Sequence, residues 1–353
     1  MQRLNLKLKL ALELNRQLTA QRRREHPLRQ LFWECTWRCN LSCRHCGSDC
    51  KSSSMLPDMP AEDFLRTVDS IIPHVDTHLL NIIITGGEPL VREDLEHVGL
   101  ELYKRELPWG LVTNGLFLSA QRLQSLRRAG LRNITISLDG TETTHNWMRC
   151  HPESFKRAYE AIKMVAKAKD LNFDVVTCVN QHSLAELDQI KQLLISAGVK
   201  RWRLFTIFPS GRAARYPEFE ISKEDLTTLL DYIVATRKEG LIYPSFCCEG
   251  FLGNYEGKVR DYFFRCDAGV SVASVLLDGG IGACPSIRAD YREGNIYKDD
   301  FWDVWQNRYH RYRDRSWMKT GVCSECNFWR YCEGNGIHLR DSEGKLMHCH
   351  MLK

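Results

Sequence analysis

ECTWRCNLSCRHCGSDC, residues 34–50, places five cysteines in seventeen positions. Three of them, Cys39, Cys43 and Cys46, form a C-x3-C-x2-C array. The array follows directly on QLFWECTW, an apolar and aromatic run that reads as a first strand. Three closely spaced thiolates can hold three irons of a cubane [4Fe–4S] cluster and leave the fourth iron for another ligand. The competing reading is a closed zinc site, with Cys35 or Cys50 as the fourth thiolate.

Working outward, five more short runs read as strands: LLNIIIT, WGLVT, NITISL, FDVVTCV and RWRLFTIF. They are near-continuous in Ile, Val, Leu and aromatics, as strands buried on both faces are. Between them lie helix patterns at 60–74, 93–106, 119–129, 153–170 and 184–197. Ser119 and Ser183 read as N-caps, and Gly130 and Gly198 as stops. Six β/α units in series predict a parallel sheet with helices outside it. Six is fewer than the eight of a closed TIM barrel. The expected fold is therefore α/β, an open, partial (β/α)6 TIM-like barrel with its site at the carboxyl ends of the strands.

The rhythm changes near residue 217. A helix pattern at 222–238 leads to LIYPSFCCEG, and then to stretches rich in glycine, aromatics and cysteine. The expected division is a basic amphipathic N-terminal helix (1–27), the partial barrel (28–216), a bridging region (217–244) and a Cys-rich domain (245–353). Such a loop-rich module draws stability from bound metal rather than from apolar burial alone.

The 353 residues are 43% hydrophobic and 26% charged, enough for a sizeable core. A net charge of +5 is too mild to argue for nucleic acid. No stretch reaches eighteen consecutive apolar residues, so no membrane span is expected. Fifteen cysteines without a secretory signal favour metal or redox chemistry over disulfides, and a reducing, cytoplasmic setting. Cys150 and Cys178 stand apart from the cysteine clusters and read as packing residues. Residues 3–24 carry Leu4, Leu8, Ala11, Leu12 and Leu18 among basic residues. A helix that packs this stripe on the barrel is the expectation. The alternative is a surface helix that meets a partner or an anionic membrane.

Each further strand end carries polar or glycine residues. TGGEPL (85–90) follows the second strand, VTNG (112–115) ends the third, and ISLDG (136–140) ends the fourth. Two glycines permit close backbone approach, Pro89 fixes the turn, and Glu88 is an acceptor suited to an ammonium. Arg149 can clamp a carboxylate. Singly, these are ordinary turns and a solvated arginine. Together with C-x3-C-x2-C, and in this order, they resemble the radical S-adenosylmethionine (SAM) enzymes. VNQHSLAEL and PSGRA after the fifth and sixth strands are similar to that family too.

The resemblance implies a [4Fe–4S] cluster on Cys39, Cys43 and Cys46, with SAM on the free iron. It implies cofactor-binding roles for His45, lying over the adenine where an aromatic residue is usual, and for Gly86, Gly87, Glu88 and Pro89 at the methionine amino group. Asn114, Ser137, Asp139 and Arg149 complete that set.

The C-terminal cysteines resemble the SPASM extension of radical SAM peptide-modifying enzymes. Cys266 and Cys284 bracket one segment, and CSECNFWRYC gives Cys323, Cys326 and Cys332, with Cys349 beyond. GNIYKDDFWDVW between them is similar as well. The resemblance implies one or two auxiliary iron–sulfur clusters. Cys323, Cys326, Cys332 and Cys349 make one four-ligand set. Cys266 and Cys284 lack their usual partner, because position 336 is glycine. Cys247 or Cys248 can step in, the cluster can keep an open iron, or it can be absent. His338, His348 and His350 are spare donors.

Pro285 stands directly after Cys284, where sulfatase-maturing relatives carry an aspartate base, so that route is not expected. Asp290 and Glu249 are the nearby carboxylates. The whole pattern is closest to the rSAM/lipoprotein-system enzymes of the radical SAM/SPASM peptide maturases. It implies an oxidoreductase that cleaves SAM reductively to a 5′-deoxyadenosyl radical and modifies a peptide or protein, a Cys-containing lipoprotein or peptide among them. The implied electron donor is a reductase or a flavodoxin or ferredoxin. The alternatives are a radical SAM enzyme of a small metabolite and a non-catalytic metal-binding or electron-transfer protein.

Overall fold

The computed structural model describes residues 4–247 and 249–351. Helix α1 (Leu6–Glu25) precedes β1 (Gln30–Glu34). Then come α2 (Ala61–Ile71), β2 (Asn81–Thr85), α3 (Leu95–Lys104), β3 (Trp109–Thr113), α4 (Ala120–Arg128) and β4 (Leu131–Ser137). Two helices, α5 (Glu142–Arg149) and α6 (Ser154–Val165), lead to β5 (Asn172–Val179). Helices α7 (Gln181–Ala185) and α8 (Leu187–Ser196) lead to β6 (Arg201–Thr206). Helix α9 (Lys223–Glu239) leads to β7 (Tyr243–Phe246). The C-terminal part adds β8 (Val272–Val275), β9 (Gly280–Gly282), β10 (Gly294–Asn295), α10 (Phe301–Asn307), α11 (His310–Arg313) and α12 (Trp329–Cys332).

All six expected strands form, and β1 to β6 lie side by side, each parallel to the next. The sheet order is β10-β9-β8-β1-β2-β3-β4-β5-β6-β7, with its two ends unpaired, so the barrel is open. The sheet also runs past the six units. β7 pairs parallel with β6, and β8 pairs parallel with the outer side of β1. One continuous core joins these parts, with Trp33, Trp109, Trp202 and Trp305 fully buried in it. Within β1, Leu31 and Trp33 point to the helix layer, where Trp33 stacks on Phe64 of α2 at 4.4 Å. Alternation then turns Glu34 to the barrel interior.

Ser119 caps α4 as expected, accepting from the Arg122 amide at 3.1 Å. Ser183 does not cap. Asn180 is the N-cap of α7, accepting from His182 N and Ser183 N, while Ser183 Oγ accepts from the Asn180 amide. The third-residue side chain of a capping box was taken for its first. Helix α1 departs from expectation as well. Its buried Leu12, with Leu4, packs on Phe251, Phe264 and Cys332 of the C-terminal part, not on the barrel, and Leu18 is exposed. No helix among the described residues is long and apolar enough to cross a membrane.

Candidate functional site

The cysteine array lies at the carboxyl end of β1, held from several directions. The Cys39 amide donates to Lys51 O at 2.7 Å, and the Arg44 amide to Met148 O at 2.8 Å. Arg212, from the PSGRA turn after β6, donates through Nε to Cys43 O at 2.7 Å and through Nη1 to Cys50 O at 2.8 Å. Its own amide donates to Cys46 O at 2.9 Å. Cys50 hydrogen-bonds the Cys46 sulfur and draws that thiol below its ordinary value. Cys35 is buried in the helix-layer core, which removes it as a fourth ligand. None of the described cysteines is in a disulfide.

The two glycines of TGGEPL approach the cysteine loop itself. A Cβ on Gly86 would lie 2.3 Å from Thr36 O, and one on Gly87 would lie 2.2 Å from Arg38 O. In their absence the Gly87 amide donates to Thr36 O and the Glu88 amide to Arg38 O. Glycine there brings the second strand end onto the start of the loop. Glu88 is buried and accepts from Thr113 Oγ1 at 2.7 Å, Asn114 N at 2.8 Å and Leu90 N at 3.1 Å. Burial pushes its carboxyl up, and these donors partly offset that. Pro89 opens the turn that follows. Asn114 then donates to Asn40 Oδ1 at 2.7 Å and lies 4.0 Å from the Cys39 sulfur.

Arg149, at the end of α5, donates through Nε to Asp139 Oδ2 at 2.7 Å and sits 3.8 Å from the Cys43 sulfur through Nη1. Burial raises the Asp139 carboxyl, but Arg149, His45 and His145 outweigh it and hold the group at about 2. Its other oxygen accepts from the Cys178 amide at 3.0 Å. His45 is half-buried 3.7 Å from Asp139, edge-on to Phe219, and its Nδ1 has no side-chain partner among the described residues. Burial draws its pKa down to about 4, so the ring is neutral at pH 7. Ser137 is buried at the end of β4. Gly86 and Gly87 after β2, Asn114 after β3 and Arg149 at the end of α5 thus all reach the cysteine loop.

Sequence reasoning missed several neighbours. Cys178 packs against Met148, Ala213 and Phe219 as expected, and its sulfur also lies within 4.8 Å of donor atoms of His45 and Asp139. Cys150 is exposed rather than packed. Arg212 has no role legible in PSGRA, yet its guanidinium and amide hold three loop carbonyls. Glu34, a carboxylate closing an apolar strand, accepts from Arg288 Nη1 at 3.1 Å. An acid at the last position of a buried strand was the available signal. Of the two carboxylates named earlier, Asp290 points to solvent beside Arg292. Glu249 is buried at the end of β6, accepting from Thr206 N at 2.6 Å and facing His350 at 3.3 Å.

In the C-terminal segment burial pushes the Cys332 thiol up, with Cys349 and Cys323 near enough to add to it. Cys326 follows one turn after Cys323, its amide donating to Cys323 O. Arg340 Nη2 lies 3.5 Å from the Cys323 sulfur. Arg315 bridges Cys266 O and Asn335 O at 3.1 Å each, which brings position 336 beside Cys266. A Cβ on Gly336 would lie 2.5 Å from the His338 ring, so buried His338 fills the space next to it. Cys247 is buried with its carbonyl on Arg260. Cys248 lies outside the described residues.

Comparison with known proteins agrees with this geometry. Residues 33–194 match the radical SAM superfamily and residues 266–327 the SPASM iron–sulfur cluster-binding domain. The chain is 26% identical to an AdoMet-dependent heme synthase of Methanosarcina barkeri, over 87% of this chain and 90% of that one. It is 29% identical to the mycofactocin maturase MftC of Mycobacterium ulcerans, over 86% and 81%. The fold matches Streptococcus suis SuiB bound to its precursor peptide SuiA, with a TM-score of 0.70 at 16% identity, over 92% of this chain and 76% of that one. The chain carries a radical SAM domain followed by a SPASM iron–sulfur cluster-binding domain.

Proposed function

We propose that this radical SAM enzyme modifies a peptide or protein, a Cys-containing peptide or lipoprotein being one such substrate. The similarity to MftC carries the peptide reading, and the likeness of fold to SuiB is in keeping with it. Cys39, Cys43 and Cys46 fit a site-differentiated cluster: three spaced thiols on one loop, with Cys35 turned away into the core and Cys50 hydrogen-bonded to the Cys46 sulfur. With SAM bound, such a cluster would supply the electron for reductive cleavage of SAM. The protein's residues orient and shield. Asp139 and Arg149 neutralise each other beside Cys43. His45 presents a neutral ring. Trp147 and Phe219, with ring centroids 5.5 Å apart, keep water from that face. Cys323, Cys326, Cys332 and Cys349 hold an auxiliary cluster in this reading, with Cys266 and Cys284 at a second site lacking its usual third thiolate. A reductase, flavodoxin or ferredoxin supplies electrons.

The relation to heme synthases favours a second reading, a tetrapyrrole substrate. Anaerobic turnover with candidate Cys-containing peptides and, separately, with iron porphyrins tests both. Substrate-dependent 5′-deoxyadenosine with a mass change in the peptide supports the first. The same result with a porphyrin alone overturns it.

A further inference from the structure

Helix α1 leaves its longest apolar row facing outward. Leu6, Leu10, Leu14 and Leu18 are 73%, 64%, 59% and 56% exposed. Spaced four residues apart, they form one row about 18 Å long on a helix that rises 1.5 Å per residue. The opposite face is fastened. Leu12 is buried against Phe251 and Phe264. Glu13 accepts from Arg330 Nη2 at 2.8 Å, and Arg23 Nη1 donates to Glu333 at 3.0 Å. The row cannot turn inward without breaking these ties.

Charge and periodicity say what covers it. Lys7 and Lys9 lie on either side of Leu6 and Leu10 at the first turn of the row. Both are exposed and in no ion pair among the described residues. A step of four residues advances about 40° around the helix, so four leucines sweep about 120°. A coiled-coil partner needs a narrow seam of period 3.5, whereas a broad apolar arc rimmed by cations suits the headgroup boundary of a lipid bilayer. We propose that α1 docks the enzyme on an anionic membrane surface, with the leucine row in the headgroup–acyl boundary and Lys7 and Lys9 on lipid phosphates.

The test uses the full, cluster-loaded chain and co-sedimentation with two kinds of vesicle. One is phosphatidylcholine alone. The other mixes phosphatidylcholine and phosphatidylglycerol in equal parts. Binding to the mixed vesicles, weakened by salt, is expected. The double variant Leu10→Gln/Leu14→Gln is expected to bind at least about tenfold more weakly. Lys7→Gln/Lys9→Gln is expected to lose the preference for phosphatidylglycerol. These side chains are exposed, and unchanged helix content and iron content show that each variant is folded. No binding of the wild type to either vesicle overturns the proposal, as does a leucine variant that binds like wild type. Equal wild-type binding to both vesicles overturns the role given to the cations. Self-association in solution that the leucine variant abolishes, without vesicle binding, assigns the row to a second copy instead.

Discussion

The loop at residues 34–50 and the segment at 323–349 both gather cysteines, and they are held in different ways. The first is fastened by backbone and side chains from distant parts of the barrel: Gly86–Glu88 after β2, Met148 in α5 and Arg212 after β6. Its shape is set by strands that form for their own apolar reasons. The second runs through short turns and a four-residue helix, tied to distant parts of the chain through Arg315 on Asn335 O, Glu13 on Arg330 and Arg23 on Glu333. Such a segment gains much of its order from the metal it binds. A preorganised loop can tune a reactive cluster, while a metal-ordered segment couples cluster loading to folding.

Single-cysteine variants give the largest contrast. Cys43→Ala is expected to bring 5′-deoxyadenosine formation to background while leaving thermal unfolding of the barrel nearly unchanged. Cys332→Ala is expected to cost about four irons, one cubane, and to loosen the C-terminal segment. Equal destabilisation by both would break the contrast. Metal removal is the next test. In protein stripped anaerobically by chelator, hydrogen exchange is expected to rise strongly across 323–349 and little across β1 to β6. Uniform loss of protection would show that the barrel loop also depends on metal.

Gly87→Ala probes the first region alone. A methyl 2.2 Å from Arg38 O must push the strand end and cysteine loop apart. A cost of about 1–3 kcal/mol is expected, as for other overpacked sites, with slower SAM cleavage and unchanged C-terminal clusters by electron paramagnetic resonance.

The smallest effect belongs to Glu293, whose half-buried carboxyl burial raises from 4.5 to about 7. The folded state keeps this proton after the unfolded state has lost it. The stability it contributes is complete below about pH 4.3 and is lost as pH rises through about 7. Screened by solvent, that is on the order of 1 kcal/mol. Glu293→Gln is expected to flatten the pH dependence of C-terminal unfolding by that amount, and an unchanged profile would contradict it.

The barrel was legible because β1 to β6 are short, near-continuous apolar runs, which buried parallel strands must be. Helix α5 was not, since Thr144, His145 and Arg149 are among its buried residues and erase the apolar period. Strand β8 was hidden for another reason. It joins β1 across more than two hundred residues, and local pattern carries no trace of such a pairing. Cys39, Cys43 and Cys46 stand out by their spacing, which alone suits either an open cubane cluster or a closed zinc site. Gly86 and Gly87 were read correctly as close-approach residues, but what they approach is the loop backbone. Cys178 and Arg212 reach the site from β5 and from the turn after β6, and only the assembled strand ends bring them there.

The most direct test is the yield of 5′-deoxyadenosine from SAM under reduction by the reconstituted wild-type protein, with iron and sulfide counted on the same sample. Product in the wild type and none in Cys43→Ala is expected, with iron near eight or near twelve per chain according to whether the Cys266–Cys284 site loads a cluster. No 5′-deoxyadenosine from protein whose barrel cluster is fully loaded would contradict the account.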